Sequence, residues 1–228
     1  MITEIKAIAR RHLETDGANL SLRAVARDMG MVSSALYRYF ANRDELLTAL
    51  ILDAYNALGD AVEAADAAIK DRTRLRARWL TATRAVRAWG LANPAEYALV
   101  YGSPVPGYAA PEDTIAAAAR TPAVLARILV DGCASGGLST ALTASGPTSE
   151  PPQLADAVRA DLMRTRDDIA PGVPEELMLL GLTGWIQMFG TVSLELFGQF
   201  NNVIEARNAF FDQQMELMAD LMGLPQTK

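Results

Sequence analysis

Between Ser21 and Glu45 the chain carries a dense run of hydrogen-bond donors: Arg23, Ser33, Ser34, Tyr37, Arg38, Tyr39 and Arg43. Guanidinium, hydroxyl and phenol groups are the donors that hold phosphate oxygens and reach base edges. Elsewhere, residues able to do chemistry are sparse. One histidine, His12, and one cysteine, Cys133, leave little for nucleophilic catalysis and nothing for a Cys-rich zinc site or an internal disulfide. No G-x-S-x-G elbow, phosphate-binding glycine loop or H-E-x-x-H helix occurs. These absences argue against an enzyme and call for no metal and no cofactor. The simplest reading of His12 is a helix-surface imidazole, and of Cys133 a small buried thiol.

Taken singly, the tyrosines read more readily as core residues and the arginines as a solvated face. What matters is the set of elements that positions them. Ile2, Ile5, Ile8, Ala9 and Leu13 recur at helical spacing, and Gly17 is the expected stop. A second helix is expected after Ser21 as N-cap, with Leu22, Val25, Ala26 and Met29 on one face and Gly30 at its end. A third runs from Ser33/Ser34 to Phe40. Asn42 with Glu45 reads as a capping box that opens a long helix carrying Leu46, Leu47, Leu50, Ile51, Ala54, Leu58 and Val62. Two short helices joined through a glycine form a helix-turn-helix, whose second helix is built to enter a DNA groove.

Further along, a helix is expected from Arg74 to about Gly90, and Asn93-Pro94 reads as the capped start of a short one. Ser103–Pro111 reads as a loop, and Thr121-Pro122 as the start of the next helix. Gly136–Pro152 is rich in Gly, Ser, Thr and Pro and reads as an exposed loop. Three helices then follow over about Leu154–Asp167, Glu175–Gln199 and Val203–Met222. The fold class is therefore all-α: an N-terminal three-helix DNA-binding domain, residues 1–46, and a larger helical bundle, residues 47–228.

The net charge of −6 at first opposes a nucleic-acid partner. Resolved by segment, residues 1–50 hold seven basic and six acidic side chains, and the rest hold fourteen and twenty-one. A head of +1 on a body of −7 is compatible with DNA if the arginines share a face. Leu177–Leu194 is uncharged and reaches the length at which a membrane span becomes arguable. Its Thr183, Gln187, Thr191 and Ser193, its glycines and the lack of basic flanks favour a helix buried inside a soluble dimer. The amphipathic, charged start of the chain does not read as a signal peptide, so a cytoplasmic protein without a membrane partner is expected.

The ordered string SLRAVARDMGMVSSALYRYFANRDELLTAL closely resembles the DNA-binding signature of the TetR/AcrR family of repressors, most specifically over LYRYFANRDELL. By that resemblance Tyr37, Tyr39 and Arg43 are phosphate anchors, while Arg23, Ser33, Ser34 and Arg38 stand where base-reading or nearby groups occur. Ala35 departs from the threonine of many members, which removes one phosphate hydrogen bond. ANPAEYALVYG and GWIQMFGTVSLELFG resemble the WHG-type ligand-binding domains. The resemblance implies a homodimer, joined through its last two helices, on a palindromic double-stranded DNA operator. It also implies a one-component repressor released by a small hydrophobic effector. The alternative left open is a helical scaffold or sensor without DNA binding.

A sensor needs an apolar cavity with few polar handles. Trp79, Trp89, Tyr97, Tyr101, Trp185, Met188 and Phe189 are its candidate walls, although each taken singly reads more readily as plain core. For the dimer, Gly181, Gly184 and Gly190 are expected to permit close helix approach, with Phe197, Phe200, Phe210, Phe211, Met215 and Met218 as apolar area.

Overall fold

The structure is a computed structural model and describes residues 1–16, 20–136, 138 and 154–226. The described residues form ten helices and no strand: α1 (Ile2–Asp16), α2 (Leu22–Asp28), α3 (Ser33–Leu36), α4 (Arg43–Ala68), α5 (Leu75–Ala92), α6 (Pro94–Tyr101), α7 (Thr114–Ala134), α8 (Asp156–Ile169), α9 (Glu175–Leu196) and α10 (Arg207–Leu221). They divide into two compact units, residues 1–59 with 89–120 and residues 60–88 with 121–228. Gly17 and most of the Gly136–Pro152 loop lie outside the described residues.

In the first unit, the apolar faces of α1, α2, α3 and early α4 meet in one core. Ile5, Ala9, Val25, Leu36, Leu46 and Leu47 are fully buried there. Polar contacts fix the outer side of α1. Asp53 accepts from Lys6 Nζ at 2.8 Å and from Arg10 Nη2 at 2.6 Å. His12 is not a free surface imidazole: its Nε2 lies 2.8 Å from Asp28 Oδ2 and tethers α1 to α2.

The second unit is built around Trp79 of α5, which is fully buried and donates from Nε1 to the carbonyl of Met215 at 2.9 Å. Gly184 of α9 lies against its ring. Ion pairs bind the rest of α5. Arg76 pairs with Glu216 and Asp220 of α10, and Arg87 with Glu195 of α9 at 2.6 Å. Arg78, wholly buried, donates to Asp66 at 2.8 Å and Asp131 at 2.7 Å, while Arg72 also pairs with Asp66. Burial alone would raise the Asp66 carboxyl, but hydrogen bonds from Arg78 and Arg72 prevail and hold it below the ordinary carboxylate range. Burial pushes the half-buried Cys133 thiol up, so little reactive thiolate forms there.

Several expected elements come out differently. α3 stops at Leu36 instead of Phe40. Tyr39 N–H and Phe40 N–H both donate to the Leu36 carbonyl, at 2.9 and 3.1 Å, which tightens the chain into turns through a run of aromatics that are poor helix formers. Thr121-Pro122 is not a helix start. α7 runs unbroken from Thr114 with Pro122 inside it, carried through by the alanines at 116–119 before the proline. Asn93 does not cap α6; its side-chain amide turns back to the Trp89 carbonyl at 2.9 Å, and Pro94 alone marks the start. α9 ends at Leu196 and α10 begins at Arg207, both shorter than their apolar patterns.

By length and composition α9 would cross a membrane. Instead it buries Leu177, Leu180, Met188 and Val192 within the second unit, which explains its apolar run as a core helix.

Candidate nucleic-acid interface and effector cavity

The turn between α2 and α3 follows from three local interactions. Ser21, in extended conformation, accepts from Ala24 N–H through its hydroxyl and opens α2. At the other end Gly30 takes φ +66°, its N–H donates to the Arg27 carbonyl at 3.0 Å, and Met31 N–H reaches the Ala26 carbonyl at 2.9 Å. This paired closure is a Schellman motif, and it needs a residue that accepts positive φ. Asn42 Oδ1 then accepts from Glu45 N–H at 2.9 Å, while the Glu45 carboxylate accepts from Ala41 N–H at 2.7 Å. The expected capping box therefore forms with its return bond one residue earlier, and it fixes the start of α4 close behind the turn.

Held between these ends, Leu36 and Phe40 point into the core and the donors point out. Tyr37 is 45% and Tyr39 40% exposed, so neither is a core residue. Arg23, Ser34 and Arg38 are exposed, Ser33 and Arg43 half-exposed. From Met29 to Ala41 there is no carboxylate. Asp28 is engaged by His12, and Glu45 by the backbone. Among the described residues no acidic side chain pairs with Arg23 or Arg38, whereas Arg43 lies 4.0 Å from Asp44. The surface thus gathers exposed donors, among which Arg23 and Arg38 have no acidic partner among the described residues, and it suits a polyanion.

The aromatic candidates for a sensor pocket separate. Trp79 and Trp185 meet at one cavity of about 200 Å³ in the second unit, lined by α5, α7, α8 and α9 with the exposed Thr165 and Leu182 on its wall. Met188 and Phe189 lie on the same helix as Trp185, and the Phe189 ring stands 5.4 Å from the Trp185 ring. Tyr97 and Tyr101 belong to the first unit instead, where Tyr101 packs 5.1 Å from Tyr97 and 6.0 Å from Tyr55. Burial, with Tyr55 and Tyr97 alongside, pushes the Tyr101 phenol up and keeps it neutral. Trp89 is half-buried and also lies in the first unit. The remaining cavity walls are mostly aliphatic, among them Pro122, Leu125, Leu129, Ile169, Met178 and Leu182. Aliphatic residues at helical spacing are indistinguishable from core in a single sequence, so nothing signalled them.

Two of the three glycines expected at a dimer surface point inward. A Cβ on Gly184 would meet the Trp79 ring at 2.9 Å, and one on Gly181 would meet Leu129 at 2.7 Å. Gly190 alone of the three faces open space. Phe211, Met215 and Met218 are likewise buried within the unit. The apolar residues left outside on α9 are Leu182, Ile186 and Leu194, with Phe197 just beyond; α10 adds Leu217.

Comparison with known proteins covers both parts of the chain. A family model described as bacterial regulatory proteins, tetR family, matches residues 5–50, and one described as a tetracyclin repressor-like C-terminal domain matches residues 79–218. The chain is 38% identical over 232 residues to the HTH-type transcriptional regulators Rv1816 of Mycobacterium tuberculosis and Mb1846 of Mycobacterium bovis, covering 96% of this chain and 91% of each relative. Among solved structures, a protein described as regulatory, SCO4313, matches with a TM-score of 0.74 at 36% identity, over 95% of this chain and 94% of that one. A regulatory protein in the tetR family from Rhodococcus RHA1 shares the fold, with a TM-score of 0.65 at 16% identity over 99% and 98% of the two chains.

Proposed function

The chain belongs to the tetR family of bacterial regulatory proteins, and from that premise we propose that it is a cytoplasmic, one-component repressor. In this reading a homodimer holds a palindromic operator through residues 1–46 and senses a small hydrophobic effector through residues 47–228. The observation that carries it is the donor face of the helix-turn-helix. Tyr37, Tyr39 and Arg43 grip phosphates, and Arg23, Ser33, Ser34 and Arg38 reach bases or nearby groups, with no carboxylate from Met29 to Ala41 to repel the strand. The sensor is the cavity between Trp79 and Trp185.

Two features support the remainder of the reading. The exposed Leu182, Ile186, Gly190 and Phe197 form a stripe at nearly one-turn spacing, an apolar face of the kind a second copy buries. α4 starts at the DNA-facing cap, and its last residues, 60–68, belong to the second unit. Effector binding then favours dimers whose recognition helices no longer match half-sites about one helical turn apart.

A mobility-shift titration of the full chain against its own upstream region tests the proposal. The wild type is expected to form a discrete complex, and Tyr37→Ala combined with Arg43→Ala to lose it. A double variant that binds as well as the wild type refutes these contacts. A folded wild type with no DNA affinity returns the protein to a helical scaffold.

A further inference from the structure

The cavity of the second unit is chemically uneven, and its one irregularity specifies what it takes. Among the described residues no ionisable side chain lines it, so a charged guest would lose its hydration and gain no counter-charge from them. Three side chains with an N–H or O–H reach its wall. Thr165 is committed, donating from Oγ1 to the Asp161 carbonyl at 3.1 Å. Trp79 is committed to the Met215 carbonyl at 2.9 Å. Trp185 is different: its indole Nε1 is buried and has no hydrogen-bond partner. A buried donor left unpaired costs free energy that a correctly placed acceptor recovers. No space of water size adjoins Nε1 as the ring stands, so a guest engages it through a small turn of the indole toward the cavity.

Size narrows the guest further. A dry apolar cavity of about 150 Å³ accepts benzene, so about 200 Å³ takes a single ring with a short substituent. We propose that the effector is an uncharged, single-ring-sized apolar molecule bearing one hydrogen-bond acceptor, such as a carbonyl or ether oxygen, received by the Trp185 indole N–H. This rests on the sensor reading above but is a separate claim about the chemistry of the cavity.

Three probes of matched size test it by calorimetry on the full chain: acetophenone, propylbenzene and benzoate. Acetophenone is expected to bind the wild type, and Trp185→Phe, which keeps a ring and removes the donor, to bind it roughly tenfold more weakly, about 1.4 kcal/mol. Propylbenzene is expected to bind both proteins alike, and benzoate neither. Ala126→Phe, which fills the cavity from α7, is expected to abolish binding of both neutral probes. Independently of any variant, one of the three indole N–H resonances of the wild type should shift with acetophenone and stay fixed with propylbenzene.

Equal acetophenone affinity in wild type and Trp185→Phe, tight benzoate binding, or no binding by any probe overturns the proposal. A mobility shift run with acetophenone separates the two claims. If Trp185-dependent binding leaves the operator complex intact, the cavity chemistry stands and the sensor role falls. If the complex is released but Trp185→Phe responds identically, the sensor role stands and the donor assignment falls.

Discussion

Gly184→Ala probes the point where core and cavity share a residue. The added Cβ would sit 2.9 Å from Trp79 Cη2 and 3.3 Å from Cζ2, with Met218 Cβ at 3.8 Å. A flexible side chain would yield cheaply, but the indole is rigid and its Nε1 is fixed to the Met215 carbonyl. Overpacking of this kind costs about 1–3 kcal/mol. Replacing a mid-helix glycine by alanine returns about 0.5–1 kcal/mol through reduced backbone freedom. The middle values of these ranges leave a net loss of about 1 kcal/mol, which for a chain of this length lowers the thermal midpoint by about 2–4 °C. The open space beside Trp79 is the cavity, so relief of the clash pushes the ring into it, and affinity for a neutral single-ring probe should fall as well. Calorimetric melting with and without acetophenone measures both effects. An unchanged or raised midpoint in Gly184→Ala would refute the packing, and a lowered midpoint with unaltered probe binding would refute the link between core and cavity.

Other perturbations separate the kinds of contact. Arg43→Gln should reduce the salt dependence of operator binding by about 0.9 per protomer, because each phosphate contact releases condensed counterions. Tyr37→Phe should weaken binding about tenfold per protomer with the salt slope unchanged, since it removes a hydrogen bond and no charge; anisotropy titrations over a salt series distinguish the two. Gly30→Ala should cost about 1–2 kcal/mol from positive φ alone, because nothing lies within 4 Å of its Cβ position, and Gly30→Asn should cost less; comparative melting checks the order. Asp66 is held below the ordinary carboxylate range, so its stabilising pairs are whole above about pH 4 and drain away as pH falls through the depressed value. The melting midpoint should therefore drop below about pH 4 in the wild type, and Asp66→Asn should start lower at neutral pH and fall less.

What was legible in the sequence was what a local rule encodes. Ser21, Gly30 and Asn42 each satisfy or close a helix end with their own side chain or backbone, so type and position together predict the turn. The core of the first unit follows from spacing alone, as Ile5, Ala9, Val25 and Leu36 show. Competition from neighbouring structure decided the rest. Pro122 looks like a helix start until the alanines before it carry α7 through. Asn93 has the chemistry of a cap, but the Trp89 carbonyl takes its amide. Gly181 and Gly184 suggested a helix–helix contact between subunits, yet their missing side chains accommodate Leu129 and Trp79. The outward placement of Arg23, Ser34, Tyr37, Arg38 and Tyr39 was nameable because Leu22, Val25, Leu36 and Phe40 between them turn to the core. The pocket was not, because an aromatic count does not say which unit a ring joins: Tyr97 and Tyr101 belong to one, Trp79 and Trp185 to the other.

The central claim is sequence-specific DNA recognition, and a footprint of the full chain on its own upstream region measures it most directly, with excess unrelated DNA as competitor at physiological salt. The account predicts protection of two half-sites related by a dyad and about one helical turn apart, surviving roughly a thousandfold excess of competitor. Protection that spreads evenly along the fragment, or disappears with equimolar competitor, would contradict it.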